Sequence, residues 1–372
     1  MKLAGIKVLD LSLFLPGPHL TMMMADHGAN VIKIEPPGGE PVREIGLQQA
    51  GFSTWFRNTH RGKRCVMLDL KQPEHQAALL ALAAEADVLV EAFRPGVAQR
   101  LGVDYDRIAA SNPRIVYCAI SAFGQSGPQA GRPAHDLAMQ ADAGVVSLNL
   151  GVDGHPAQPH MPVADMAGSL MALCGILMAL YRRHASGRGD YIDLSMRDAL
   201  MAWLPNVVGP PFAQQRDPLV AQERSWGGNA MYRLYRCADD RWLALGGAEH
   251  KFADTLFCAL GRPDLGVLCH QPPGPGQDPA WRFLADTFAQ RPLAAWCAFL
   301  TPLDLCWASV KSLTEAFNDP HTRARSMLFT DSNGGQHLGI PIKFRDEPGR
   351  IDPHLEQLGE STASILASPR FD

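Results

Sequence analysis

Ile6-Lys7-Val8-Leu9-Asp10-Leu11, then Pro16-Gly17-Pro18, then Asn30-Val31-Ile32-Lys33-Ile34-Glu35: the reading of these pieces decides the fold. The first and last are rich in apolar and β-branched residues and read as strands. Residues 20–27 between them read as a helix, which Gly28 ends. Strand, helix and strand in that order form a β-α-β unit, so a parallel sheet covered by helices is expected. The loop after the first strand carries no G-x-G-x-x-G, and a dinucleotide is not the expected ligand.

Outward from this unit the pattern continues. Residues 65–70, 88–91 and 115–121 read as strands, and 73–86 and 104–110 as helices. Residues 36–62, rich in Gly, Pro and Arg, read as one long loop, a length that in a compact domain signals function. Helices are expected at 135–146 and 165–186, a strand at 191–194 and a helix at 195–203. Residues 204–225 are irregular and Pro-rich and read as a linker. A hairpin over 232–236 and 242–246, with helices at 251–260, 280–290 and 292–299, reads as a smaller inserted domain. The expected division is 1–203 for the first part of a large domain, 204–225 for the linker and 226–308 for the small domain. Residues 309–372 then return to the large domain.

Composition narrows the function classes. Of 372 residues 46% are hydrophobic and 19% charged, which is ordinary for a globular protein with a sizeable core. A net charge of −4 gives no electrostatic reason to expect a nucleic acid. The eight cysteines are scattered, with no C-x-x-C, and several sit in apolar runs; they read as reduced thiols of a cytosolic protein without a metal cluster. The first five residues are too short and broken for a signal peptide. The apolar run 170–180 is shorter than the roughly 20 residues a bilayer requires and reads as a buried helix, so no membrane partner is expected.

Candidate chemistry concentrates in Ala134-His135-Asp136-Leu137 and, thirty residues on, Val163-Ala164-Asp165-Met166. A His-Asp pair at a helix start is either a cap with its neighbour or a general acid–base, since imidazole titrates near neutrality. Asp165 reads as a helix N-cap, and a carboxylate there sits beside free backbone N–H groups. Those N–H groups are expected to stabilise an enolate or tetrahedral oxyanion on a bound thioester. Glu249 follows Gly246-Gly247-Ala248 and reads either as the cap of the next helix or as part of a surface another backbone can approach. Phe93-Arg94-Pro95-Gly96 follows a strand, and Arg100 lies six residues past Arg94. These are solvated surface or an anion site at the carboxyl end of the sheet, with Lys71 and Arg61, Lys63 and Arg64 nearby in sequence. Met139, Met161 and Met166 are an adaptable apolar surface or simply core.

Six segments carry a resemblance. They are Leu9-Asp10-Leu11, Asp26-His27-Gly28-Ala29-Asn30-Val31-Ile32-Lys33-Ile34-Glu35, Arg61-Gly62-Lys63-Arg64, Phe93-Arg94-Pro95-Gly96-Val97, Gly124-Gln125-Ser126-Gly127-Pro128 and Asp193-Leu194-Ser195-Met196. Together, and with Pro320-His321 and Leu358-Gly359-Glu360 farther on, they resemble the superfamily of family III CoA-transferases (CaiB/BaiF-type) and α-methylacyl-CoA racemases, nearly end to end. The resemblance implies an α/β fold with a Rossmann-like large domain whose parallel sheet is built from both chain ends, and a smaller inserted α+β domain. It further implies two subunits threaded through each other as an interlocked homodimer, with acyl-CoA bound between the large domain of one and the small domain of the other. No tightly bound cofactor is implied; coenzyme A arrives with the substrate.

The superfamily offers two reactions. In its racemases the residues matching His135 and Asp165 exchange an α-proton on opposite faces of a 2-methylacyl-CoA, with the match of Glu249 supporting the His and Asp136 supporting the site. In its transferases the match of Asp165 is a nucleophile that becomes an aspartyl-CoA thioester, and CoA moves between carboxylic acids. In both, Leu70, Lys71, Phe93, Arg94 and Arg100 are the expected CoA-binding residues. His135 and the spacing from Arg94 through His135 to Asp165 are racemase-like, whereas Gln140 in D-x-x-x-Q-A is transferase-like.

Overall fold

In a computed structural model, residues 1–151, 153–224 and 227–371 are described. The first unit carries, in chain order, β1 Lys7–Leu11, α1 Pro16–Asp26, β2 Asn30–Glu35, β3 Gln48–Gln49, β4 Phe52–Ser53, α2 Thr54–His60 and β5 Lys63–Met67. There follow α3 Pro73–Glu85, β6 Val88–Glu91, α4 Val97–Arg100, α5 Tyr105–Ser111, β7 Val116–Ser121, α6 Asp136–Asp142, α7 Val163–Ser186, β8 Asp190–Ser195 and α8 Met196–Met201. Six strands form one parallel sheet in the order β5-β2-β1-β6-β7-β8. This is a doubly wound order, and its direction reverses between β1 and β6, where such sheets open a ligand crevice beyond their carboxyl ends.

Alternation along the strands sends side chains to two cores. Val8, Val31, Val90 and Cys118 pack with Leu20, Met24, Ala167 and Ile176 of α1 and α7. On the other face Leu9, Ile32, Leu89 and Tyr117 pack with Leu79, Leu82 and Ile108 of α3 and α5. All six strands lie within residues 7–195, and the end of the chain joins this unit through backbone and side-chain hydrogen bonds instead, among them Ser361 N–H to the Cys65 carbonyl (3.1 Å). Glu356 accepts a hydrogen bond from the Cys65 N–H (2.6 Å), and the Phe371 carbonyl accepts from Arg64 (2.6 Å) and Asn30 (2.7 Å).

The chain divides into one unit of Met1–Asn149, Pro156–Leu204 and Pro320–Asp372 and another of Leu150–His155 and Pro205–Asp319. In the second, β9 Tyr232–Arg236, β10 Trp242–Gly246 and β11 Trp307–Ser309 form an antiparallel sheet. It is joined by α10 His250–Ala259, α11 Pro263–Gly266, α12 Asp278–Phe288 and α13 Leu293–Leu300 around a core containing Trp296, Phe288 and Leu243, while α9 Gly209–Gln214 has no buried residue. Residues 309–319 belong here because β11 pairs with β10 and Val310 N–H bonds the Trp242 carbonyl (2.9 Å). The expected start of the small domain, at 225 and 226, falls outside the described residues.

Two local expectations change. Residues 36–62 are not one loop: Ser53 accepts from the N–H groups of Trp55 and Phe56 and starts α2. The helix expected to begin at Asp165 begins at Val163, runs 24 residues to Ser186 and is closed by Gly187, whose φ of 68° suits a residue without a Cβ. It is not buried throughout. Ala164, Ala167, Ala172 and Ile176 face the sheet, while Met178 is 65% and Tyr181 82% exposed. Among the described residues it is the single helix long and apolar enough to cross a membrane.

Candidate active site

Three chain segments meet at one end of the sheet: the turn from β1 into α1, the start of α6 and the start of α7. Asp136, the first residue of α6, bridges the last two. Its Oδ1 accepts from the N–H groups of Ala164 (2.8 Å) and Asp165 (3.1 Å). Gln140, one turn along α6, donates through Nε2 to the other Asp136 oxygen and to the Met161 carbonyl (2.9 Å). The cap of α7 is therefore Asp136, not Asp165, which stands as the third residue of the helix. Sequence reading mistook the owner of the cap because the capping side chain comes from 28 residues upstream of the N–H it binds.

A second expectation falls with the first. The N–H groups of Ala164 and Asp165 belong to Asp136, and that of Met166 bonds the Pro162 carbonyl (3.0 Å). The start of α7 has no free donors here for an oxyanion.

Asp165 is half-buried. Burial, and then the neighbouring Asp136 carboxylate, push its pKa up to about 7. His135 is the N-cap residue of α6, with an exposed ring whose face or edge meets Phe14 at 5.9 Å and 86°. Phe14 itself sits at φ 64°, a left-handed turn held by its N–H bond to Glu40 Oε1 (2.9 Å). Gly17, just beyond, leaves no room for a side chain, since a Cβ there would lie 2.1 Å from Ser12 Oγ. Among the methionines weighed from the sequence, Met139 is core, Met161 is exposed and Met166 half-buried.

Beneath this rim lies a buried charged network. Asp10 contacts Lys63 (3.0 Å), Thr21 (2.6 Å) and Ser12, and Lys33 reaches Glu40 (3.1 Å). Lys63 also donates to the Pro18 carbonyl (2.8 Å), and Arg61 makes a two-pronged pair with Asp26 (2.9 and 2.7 Å). Arg61 and Lys63 are thus internal braces and not part of a surface anion site, a correction to the cluster read from sequence.

The other expected CoA contacts follow strand ends. Leu70 and Lys71 come after β5, Phe93 and Arg94 after β6, and Arg100 closes α4; Lys71, Arg94 and Arg100 are exposed. Beside them a cavity of about 260 Å³ is lined by Glu91, Arg94, Gln99, Tyr105, Tyr117 and Tyr191. Burial pushes Glu91 up to about 7 against the opposing bond from the Phe93 N–H.

In the second unit Glu249 holds the N-cap position of α10 but makes no side-chain capping bond, and it is exposed. It lines an open cleft of about 600 Å³ with Asn229, His250 and His270. His250 and His270 stack at 4.1 Å, and His270 Nε2 pairs with Asp254 (2.8 Å). Among the described residues no group of three or more His, Cys, Asp or Glu is arranged to hold a metal.

Three comparisons bear on this geometry. The family described as CoA-transferase family III matches residues 3–362. The acetyl-CoA:oxalate CoA-transferase of Acetobacter aceti is 32% identical over 98% of this chain and 96% of its own. The human α-methylacyl-CoA racemase is 33% identical over 89% of this chain and 83% of its own. The crystal structure of a CaiB/BaiF family protein from Brucella suis superposes with a TM-score of 0.86 at 27% identity, covering 99% of both chains.

Proposed function

Because the chain belongs to CoA-transferase family III, whose characterised relatives are acyl-CoA transferases and racemases, we propose that it is a racemase-like enzyme exchanging the α-proton of a 2-methyl-branched acyl-CoA. His135 and Asp165 are the acid–base pair. The observation that carries this reading is the Asp165 carboxyl raised to about 7 at the start of α7, tied through Asp136 to the start of α6, where His135 is the N-cap residue. Inversion requires a base on one face of Cα and an acid on the other, and running both ways requires each to exist in both states near neutral pH. A carboxyl near 7 meets that condition. A nucleophilic carboxylate, by contrast, is best kept ionised by cationic neighbours, and Asp165 has an anion beside it instead.

Removal of the proton leaves an electron pair delocalised onto the thioester oxygen as an enolate, and delivery of a proton to the opposite face restores the thioester. Asp136 positions Asp165 through the helix start. Glu249 is assigned the support of the His135 imidazole. Lys71, Arg94 and Arg100 are assigned to the CoA phosphates, with Leu70 and Phe93 along the nucleotide. Coenzyme A comes with the substrate and no other cofactor is assigned. The exposed apolar face of α7, including Leu177, Met178 and Tyr181, supports an interlocked homodimer, since a soluble chain rarely leaves such a stripe uncovered. A cytoplasmic location is proposed with it.

The second reading, family III CoA transfer through an Asp165 anhydride and thioester, is favoured by the full-length similarity to the oxalate CoA-transferase. Incubation with (R)- or (S)-2-methylacyl-CoA in deuterated water separates the two. Deuterium entering Cα with no acceptor acid present supports proton exchange. No deuterium uptake, with CoA passing to an added carboxylate and an Asp165 adduct trapped by hydroxylamine, overturns it in favour of transfer.

A further inference from the structure

Both reactions collect negative charge on the thioester oxygen, yet the start of α7, where the sequence places an oxyanion donor, has its first N–H groups bound to Asp136 and Pro162. Another donor is required close to Asp165. One side chain in the same cluster has no role so far. His19 stands in the first turns of α1, directly after the β1 turn that carries Phe14 to the rim of His135. Its Nδ1 lies 2.9 Å from the hydroxyl of Ser169. Ser169 is fully buried and sits one helical turn past Asp165, on the same face of α7.

Hydrogen-bond bookkeeping sets the tautomer. Among the described residues His19 Nδ1 is the sole partner of the Ser169 hydroxyl. A buried hydroxyl proton is costly to leave unused, so Ser169 donates and Nδ1 accepts. The ring proton then resides on Nε2, which has no hydrogen-bond partner among the described residues and is not sealed from solvent. We propose that His19 presents this neutral Nε2–H to the thioester oxygen of the bound acyl-CoA and stabilises the charge that develops there, with Ser169 as its positioning residue. His19 keeps its proton throughout; the proton that moves is the substrate's, between Cα and His135 or Asp165.

The charge environment agrees. Burial, then Lys63 and Arg61, hold the His19 pKa down at about 4, so the ring is neutral at working pH and acts as a fixed dipole. A charged imidazolium would repel those cations and hand its proton to an enolate instead of bonding it. Sequence reading passed over His19 because a lone His after Pro16-Gly17-Pro18 shows no partner within reach along the chain; Ser169 is 150 residues away.

This inference rests on the acyl-CoA reading, and its test separates the two. Wild type, His19→Ala, His19→Gln and Ser169→Ala are assayed for deuterium exchange and for CoA transfer between pH 5 and 9. For whichever reaction wild type performs, His19→Ala is expected to lose about 10²–10³-fold in kcat with a small change in KM. His19→Gln, which keeps an N–H in reach, is expected to recover part of it, and neither variant should move the pH profile. Ser169→Ala is expected to lose less, and long-range ¹⁵N–¹H spectra should show its His19 leaving the Nε2–H form. Kinetics of His19→Ala within threefold of wild type, or a wild-type His19 carrying its proton on Nδ1, overturns the inference while leaving the proposed function standing. A wild type that performs neither reaction overturns both.

Discussion

Two aspartates of the first unit, Asp10 and Asp165, show how one fold sets one chemical group to two ends. Asp10, next to last in β1, lies side by side with Lys63 and Lys33 and is fully buried. Burial alone would raise its carboxyl, but the two ammonium groups outweigh it and hold it well below the carboxylate range. Asp165 is less buried, yet burial, with the Asp136 carboxylate added to it, lifts its pKa to about 7, because among the described residues no cation pairs with it to offset them. The difference lies in the neighbours and not in depth. The paired aspartate is a permanent charge that braces the turn under Phe14, and the unpaired one is poised to trade a proton.

Replacing each aspartate should break different properties. Asp165→Asn is expected to lower α-proton exchange by about 10²–10⁴-fold, read by mass spectrometry in deuterated water. The same change should leave the melting temperature equal or higher at pH 8, since it removes a charge the fold holds poorly. Asp10→Asn is expected to act the other way, stranding Lys33 and Lys63 in the core. A cost of about 3–5 kcal/mol is expected in urea unfolding, and the activity lost should follow the loss of folded protein.

Glu91 offers a third carboxyl, buried with no cation paired to it among the described residues. Its folded pKa of about 7 lies above the ordinary 4.5, so the folded state binds this proton more tightly. The stability it contributes is complete below pH 4.5 and is lost as pH rises through about 7. Glu91→Gln should therefore gain stability over wild type at pH 8, by as much as about 3 kcal/mol from the shift, with the gain vanishing near pH 4. Equal melting curves for the two proteins across that range would remove Glu91 from this class.

The smallest effect sharpens the origin of the Asp165 value. Asp136→Asn deletes the second cause of the rise and leaves burial, so the limb that Asp165 contributes to the pH–rate profile should move to lower pH. Asn keeps the accepting oxygen, so only the negative charge at the start of α7 is lost, at an expected cost of about 0.3–1 kcal/mol. A limb that stays in place would assign the whole shift to burial.

Much of this was legible along the chain. The β-α-β opening, the absence of a dinucleotide loop and most of the strands follow from local alternation and turn residues, which act over a few positions. The strand Val88–Glu91 and the helix from Pro73 are two such cases. The candidate residues His135, Asp136 and Asp165 also stood out, since a His-Asp pair and an Asp at the mouth of a long apolar helix are visible in a window of ten. Local pattern marked Glu249 and the Arg94, Arg100 and Lys71 cluster only as a cap or surface and an anion site, and their roles came through resemblance.

What the linear chain could not hold is who pairs with whom. Arg61 and Lys63 look like surface cations in sequence, and the fold turns them inward against Asp26 and Asp10. Asp165 looks like a cap, and the fold assigns the cap to Asp136. His19 looks like a lone His after the Pro16-Gly17-Pro18 turn, and the fold sets it on Ser169, one turn from Asp165. Sequence by itself determined the elements and the kinds of chemistry available, because propensity and periodicity are local. Only the tertiary structure decided which carboxyl is neutral, which is charged and where the free donors point, because desolvation and Coulomb interactions act between groups that the chain brings together from far apart.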